Sequence, residues 1–240
     1  FLLAVQGRVL PRYRQALVVS AMVCLIAAYH YYRIFNSFTD AYVAVGAGQP
    51  AQAGTSIMYA LVNGEGFNEG YRYVDWLLTV PLLLFETIAV LALAPVVRRG
   101  LLMKLIPASA LMIILGYPGE ISSSTGTKML WFVLSMIPFI YILYVLFVEL
   151  TKSLDRQPEG VAGKIGNLRT LLVVTWMVYP ISYLIPVFVA DPSASQAASL
   201  FTYRQVGYTL ADVLAKCLFG LVVFNIARTK SAAEGMNESH

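Results

Sequence analysis

A lysine in the middle of an apolar run is the residue of this chain that most demands a chemical reason. The stretch 207–224 reads GYTLADVLAKCLFGLVVF, with Asp212 and Lys216 near its centre. An ammonium at bilayer depth costs roughly 2.5–3.5 kcal/mol on insertion scales, and such residues face a bundle interior and serve a function. The four-residue spacing puts the Asp212 carboxylate one helical turn from the amine, on the same face. Two readings stand side by side: a structural ion pair that locks helices together, or a desolvated amine able to condense with an aldehyde.

A second stretch, YRYVDWLLTVPLLLFE at 71–86, carries Arg72, Asp75, Thr79 and Glu86 at spacings of 3, 4 and 7 residues. At about 100° per residue these four lie within about 60° of one another, so all face one way. Apolar residues fill the positions between them, and an otherwise greasy helix with such a stripe lines a polar path. Asp75 and Glu86 are separated by roughly 16 Å of helix rise. That is too far for two carboxylates to share one proton, and it suits two steps of a relay.

The elements that must position these residues are membrane helices. The chain is 58% hydrophobic and 12% charged, against ~25% charged in a soluble domain. Apolar runs at 16–38, 71–97, 101–117, 129–150, 168–190 and 206–227 are each near the ~20 residues of a helical span. Six spans are therefore expected, and the apolar FLLAV at the start reads as the end of a seventh helix whose beginning is absent. The expected fold class is an all-α membrane protein, a seven-transmembrane-helix bundle with the first helix largely absent, forming one domain over residues 1–240. A cleavable signal peptide is not expected, because no basic segment precedes these residues and no small-residue cleavage site follows.

Basic residues fall on alternate connections: Arg8, Arg12 and Arg14; Arg98, Arg99 and Lys104; Lys152, Arg156, Lys164 and Arg169; then Arg228 and Lys230. The positive-inside rule makes these connections cytoplasmic, with the N-terminus outside and the C-terminus inside. The net charge of +4 reflects that bias and does not suggest nucleic acid, since no basic cluster is interleaved with exposed aromatics.

Cys24 and Cys217 lie in spans without CxxC spacing and read as packing residues; with His30 and His240 they build no metal site. His30, among Tyr29, Tyr31 and Tyr32, is either a hydrogen-bonded core histidine or a titratable partner for a buried acid. The long connection 37–70 contains Asn63-Gly64 between apolar residues, which predicts a small β-hairpin with a type I′ turn. Trp176, Tyr179, Pro180 and Tyr183 in the sixth span read as core packing or as a clamp for a flat ligand.

These motifs resemble the microbial, type 1 rhodopsins across essentially the whole chain. RYVDWLLTVPLLL followed by Glu86 resembles the third helix of the proteorhodopsins and xanthorhodopsins, DVLAK the retinal-lysine motif, WMVYP the sixth-helix retinal clamp, and AAYHYYRIF the second helix of that branch. The resemblance implies that Lys216 bears all-trans-retinal as a protonated Schiff base. It implies that Asp75 and Asp212 are the counterions and that Asp75 is the proton acceptor, with His30 hydrogen-bonded to it. Thr79 would belong with Asp75 and Glu86 to the proton-pump triplet, Arg72 would order the outward exit, and Glu86 would be the proton donor. Trp76, Leu83, Trp176, Tyr179 and Pro180 would line the cofactor, and Leu83 would set green absorption.

Arg204 stands where archaeal pumps have a glutamate of the proton-release pair, so fast early release is not expected. Phe132 stands where carotenoid-binding xanthorhodopsins have glycine, so no carotenoid antenna is expected. The implied activity is light-driven outward proton pumping, a translocation with no enzymatic turnover; the alternative is a retinal photosensor acting through a partner protein, and a third reading is a dark secondary transporter. The implied partners are the lipid bilayer and protons. Relatives form rings, which leaves a homo-oligomer open, with no interface signal in this chain.

Overall fold

Proline starts two of the long helices, where its missing N–H costs nothing and its fixed φ suits the first turn. Pro11 begins α1 (Pro11–Ala41) and Pro95 begins α3 (Pro95–Glu120). Ser124 caps α4 (Thr125–Leu154) by accepting a hydrogen bond from the Thr127 amide at 3.4 Å. Gly160 takes a left-handed φ of 78° ahead of α5 (Val161–Leu184), which glycine adopts without steric cost. With α2 (Gly70–Val90) and a last rod, these make six helices, among the described residues, long and apolar enough to cross a membrane. The computed structural model describes residues 1–45, 58–61, 66–155, 157, 160–189 and 194–235.

The last rod has three parts: α6 (Ala194–Asp212), a π-helical turn (Val213–Leu218) and α7 (Phe219–Ala233). The π turn contains Lys216, and such single-turn bulges frequently mark functional positions. Helix α2 is the innermost of the six, with 61% of its apolar window buried against 22% for α3 and α4. That helix therefore holds the bundle interior, while α3 and α4 turn most of their surface outward. It packs most closely against α1 and α3.

The helices run longer than the expected apolar stretches at most ends, with α1 starting at Pro11 and the last rod spanning Ala194 to Ala233, and three boundaries shift for reasons visible in the structure. Helix α2 stops at Val90 rather than continuing to Val97. Ala92 turns left-handed there at φ 53°, and the buried Lys230 ammonium donates to the carbonyls of Val90 and Leu91 at 3.2 Å each. Arg98, Arg99 and Gly100 consequently lie in the first turns of α3 rather than in a loop. Helix α5 begins at Val161 rather than Leu168, because the left-handed Gly160 turns the chain into it.

Helix α1 runs to Ala41 and passes directly into a strand, β1 (Tyr42–Val45), which pairs antiparallel with β2 (Met58–Leu61), Tyr42 opposite Leu61. The Asn63-Gly64 pair comes after β2, so it does not join these two strands, and it lies outside the described residues.

The apolar interior divides in two. A large cluster that includes Leu83, Leu84 and Ile88 of α2 fills one end of the bundle, and a smaller one built on Tyr73, Trp76, Ile113, Tyr183 and Tyr208 fills the other.

Candidate functional site

Helix α2 and the last rod bring the two sequence stretches into contact. Lys216 Nζ bonds to Asp75 Oδ2, and it lies 3.1 Å from Asp212 Oδ1 across the four-residue turn. All three side chains are buried. An ammonium between two carboxylates in a low-dielectric interior is stable because attraction and hydrogen bonding offset the loss of water.

The two carboxylates are held differently. Asp212 accepts from Tyr31 Oη at 2.7 Å, Trp76 Nε1 at 3.0 Å, Tyr179 Oη at 2.6 Å and Arg72 at 3.5 Å. Asp75 has Lys216 on Oδ2, and its Oδ1 has no hydrogen-bond partner. Of the groups around Lys216, Asp75 thus offers the open acceptor.

His30 stands beside that open oxygen without bonding to it. Its Nδ1 lies 3.7 Å from Asp75 Oδ1 and 2.9 Å from the Ile26 carbonyl, one turn back on its own helix. The expected hydrogen bond to Asp75 is not made, because the backbone acceptor takes the ring nitrogen. Thr79 is likewise turned to the backbone, donating to the Asp75 carbonyl at 2.8 Å rather than to its carboxylate.

Arg72 leads away from this centre. Its guanidinium donates to Tyr31 Oη at 3.0 Å and to Gln205 Oε1 at 3.0 and 3.2 Å. Gln205 Nε2 passes the chain on to Glu69 at 3.1 Å, and Glu69 is paired with Arg204. Arg204 reaches a second acid, Glu120, at 3.0 Å, and Tyr73 and Tyr208 donate to the other oxygen of Glu120.

Glu86 lies in the opposite direction along α2 and has none of this. Both its oxygens are buried without a hydrogen bond; its polar neighbour is the Ser20 hydroxyl on α1, also buried and without a hydrogen bond. The remaining surroundings belong to the large apolar cluster.

A partly open cavity of about 100 Å³ runs beside the centre. Of the residues expected to line a cofactor, Trp76, Leu83, Trp176, Tyr179 and Pro180 all form its wall. Trp76 and Tyr179 are also the residues that bond Asp212, so the cavity abuts the lysine's own counterion. Its aromatic and apolar lining suits a flat apolar ligand, with one end toward the charged centre.

The far wall is formed by residues that, apart from Phe132, sequence reasoning missed. Phe132, Ser135, Met136 and Phe139 of α4 line it, as do Met112, Ile113 and Gly116 of α3. The i, i+3, i+4, i+7 spacing on α4 was the available signal, but an apolar stripe on a lipid-facing helix looks the same in sequence. Tyr31, Glu69, Glu120, Gln205 and Tyr208 were also missed. Each lies near a helix end or among aromatics, where a polar side chain draws no notice.

The family model described as bacteriorhodopsin-like protein matches residues 1–230. The green-light absorbing proteorhodopsin of Gamma-proteobacterium EBAC31A08 is 32% identical over 165 residues, 68% of this chain and 62% of that protein. The matched stretch is therefore less than two thirds of that curated relative's length. Among solved structures, xanthorhodopsin, described as a light-driven ion pump with dual chromophore, is 45% identical with a TM-score of 0.82, covering 99% of this chain and 88% of its own. Thermophilic rhodopsin is 43% identical with a TM-score of 0.84, covering 98% and 88%. The helices that carry Lys216, Asp75 and Glu86 thus lie within a match over nearly the whole chain, and the chain belongs to the bacteriorhodopsin-like family, the microbial rhodopsins.

Proposed function

We propose that this chain is a light-driven outward proton pump that carries all-trans-retinal on Lys216. The observation that carries the reading is the buried Lys216, bonded to Asp75 and Asp212 and set against an aromatic-walled apolar cavity. The residues fit the cofactor: an elongated apolar polyene suits the cavity, with Trp76, Leu83, Trp176, Tyr179 and Pro180 to hold it. When bound, retinal supplies absorption of visible light and an isomerisation that changes how tightly the proton at Lys216 Nζ is held.

The chain's own residues move that proton. Asp75 receives it, because Oδ2 touches Nζ and Oδ1 is open, whereas donors already occupy Asp212. His30 borders the receiving oxygen, its Nδ1 3.7 Å away. Thr79 fixes the helix turn beneath Asp75. Arg72 compensates Asp212 and directs charge toward Gln205, the outward path. Glu86, buried with the Ser20 hydroxyl as its polar neighbour and no cation among the described residues to stabilise an anion, holds a proton and returns it to Nζ from the other side.

The distribution of basic residues supports an N-terminus outside and a cytoplasmic C-terminus. Phe132 lies in the cavity wall, its ring stacked on Tyr183 at 5.4 Å, and fills the space where a second chromophore's ring would enter. No carotenoid antenna is therefore proposed. Leu83, on the same wall, supports green absorption.

The test is light-induced pH change in a suspension of cells that express the chain and are given all-trans-retinal, with and without a protonophore. External acidification abolished by the protonophore is the expected result. A coloured pigment that moves no protons would replace the pump with a photosensor, and failure to form a pigment would favour a dark transporter.

A further inference from the structure

Lys230 is a second buried ammonium, and the proton path described above does not use it. It lies in the last turn of α7. Its hydrogen-bond partners among the described residues are neutral: the carbonyls of Val90 and Leu91, each at 3.2 Å. The Tyr13 ring of α1 covers it, 5.3 Å from Nζ to the ring centre. Those two carbonyls end α2, where a helix leaves its last carbonyls unpaired and a cation is favoured. Three helices are gathered at this point. Ser231 accepts from the Leu10 amide at the head of α1 at 2.9 Å, Tyr13 Oη donates to Glu234 at 2.8 Å, and Glu234 pairs with Arg12. The charged and titratable groups near Lys230 are therefore Tyr13 and Arg12 from α1 and Glu234 beyond α7, while α2 presents carbonyls.

The last rod and α2 are thus tied at two levels. Lys216 with Asp75 makes the first tie and Lys230 with Val90 the second. Along the rod the ties are 14 residues apart and along α2 they are 15, roughly 21 and 22 Å of rise, so the two helices run in step between them. Glu86 lies between the ties, one turn short of the second. The interior at that end is filled by apolar side chains that include Leu17, Val223 and Ile226, all fully buried.

Resting on the pump reading, in which Glu86 is the donor, we propose that Lys230 is a positioning residue: its ammonium fastens the end of α2 to the last rod and so keeps water away from Glu86. Transfer of the Nζ proton to Asp75 neutralises both partners of the first tie and weakens it, and the second tie then holds the helices in register. A carboxyl kept from water keeps its proton, whereas water admitted past a loosened helix end would solvate the carboxylate and favour its ionisation. Lys230 exchanges no proton in this role. It acts through the helix end that it caps.

The experiment measures Nζ reprotonation by flash photolysis and the Glu86 carboxyl band by infrared spectroscopy across pH, on the full retinal-loaded chain in lipid vesicles. In wild type the rate should vary by less than about twofold from about pH 6 to about pH 9, because the proton comes from Glu86. Lys230→Met keeps the length of the side chain and removes its charge. Its rate should fall by about tenfold per pH unit at the alkaline end, first order in protons, and its Glu86 band should fade over the same range. Lys230→Arg carries a charge to the same carbonyls and should behave as wild type. A merely structural role would lower the melting temperature of the methionine variant without moving either readout. Tyr13→Leu removes the ring over Nζ and leaves the lysine; it should show the same change at smaller size, and it serves if Lys230→Met does not fold. A flat rate and an unchanged band in whichever of these two variants folds would overturn the proposal, as would an arginine variant that behaves like the methionine one. A wild type whose rate already falls with pH would remove the donor reading, and one that moves no protons would remove the pump reading, before any variant is compared.

Discussion

The two ends of α2 treat a buried carboxylate in opposite ways. Around Asp75 every charge is met: Lys216, Asp212, Arg72, Gln205, Glu69, Arg204 and Glu120 form one connected polar network. Around Glu86 nothing is met; its two oxygens have no hydrogen bond, and its neighbours belong to the apolar cluster of Leu83, Leu84 and Ile88. A paired carboxylate can stay ionised away from water, and an unpaired one stays neutral. On the proposed function the same helix thus presents an acid ready to receive a proton and an acid that already holds one. On the proposed function this asymmetry supplies direction, since a proton at Asp75 meets a polar way out and only the dry side holds a replacement.

The largest effect should come from removing the acceptor. Asp75→Asn is expected to abolish light-driven acidification and to shift the pigment to the red, because the counterion charge in contact with Nζ is lost. Residual transport measured with the protonophore control would mean that Asp212 can accept, and the distinction between the two carboxylates would fail.

Next comes the dry end. Glu86→Gln keeps shape and neutrality but cannot give a proton, so reprotonation of Nζ should slow by roughly a hundredfold or more while colour stays nearly constant. Flash photolysis reads both. An unaltered cycle would show that water reaches Nζ without Glu86.

Stability should separate the two ends by sign. Arg72→Leu strips the guanidinium from Asp212, Tyr31 and Gln205 and should cost about 3–5 kcal/mol, the usual penalty for breaking a buried charge network. Glu86→Leu removes a buried polar group with no hydrogen bond and should stabilise the dark protein by about 1–3 kcal/mol. Thermal melting of the two variants in one detergent tests this. Two destabilised proteins would mean that Glu86 has a partner, with Ser20 the residue to substitute next.

Much of this contrast is present in the sequence, and the rest could not be. The stripe of Arg72, Asp75, Thr79 and Glu86 follows from helical period alone, and the contact between Asp212 and Lys216 follows from their spacing. Which acid is paired depends on other helices, and no local pattern states that Tyr31, Tyr179 and Gln205 will arrive beside this one. His30 shows the limit in the other direction: it lies next to Asp75 as expected, yet the Ile26 carbonyl on its own helix takes its nitrogen. The end of α2 was misplaced for a similar reason, since Lys230, 140 residues on, holds the Val90 carbonyl. Arg204 looked like the loss of an acid and is in fact the meeting point of two. The turn at Asn63-Gly64 rested on a dipeptide, whereas the strand paired with β2 is the one that continues from α1.

The smallest expected effect is a pH dependence of the outer end. Burial raises the Glu69 carboxyl from its ordinary 4.5 to about 7, with the Arg204 charge working against that rise. Between those values the folded chain holds a proton that the unfolded chain has lost, so stability falls as pH rises. The contribution is fully present below 4.5 and is lost as pH passes about 7. The melting temperature of the dark protein should therefore decline slightly from pH 5 to pH 8, and Glu69→Gln should flatten that part of the curve. A curve that Glu69→Gln leaves unchanged would mean that the outer carboxyl is ionised in the folded chain, as its pairing with Arg204 would allow.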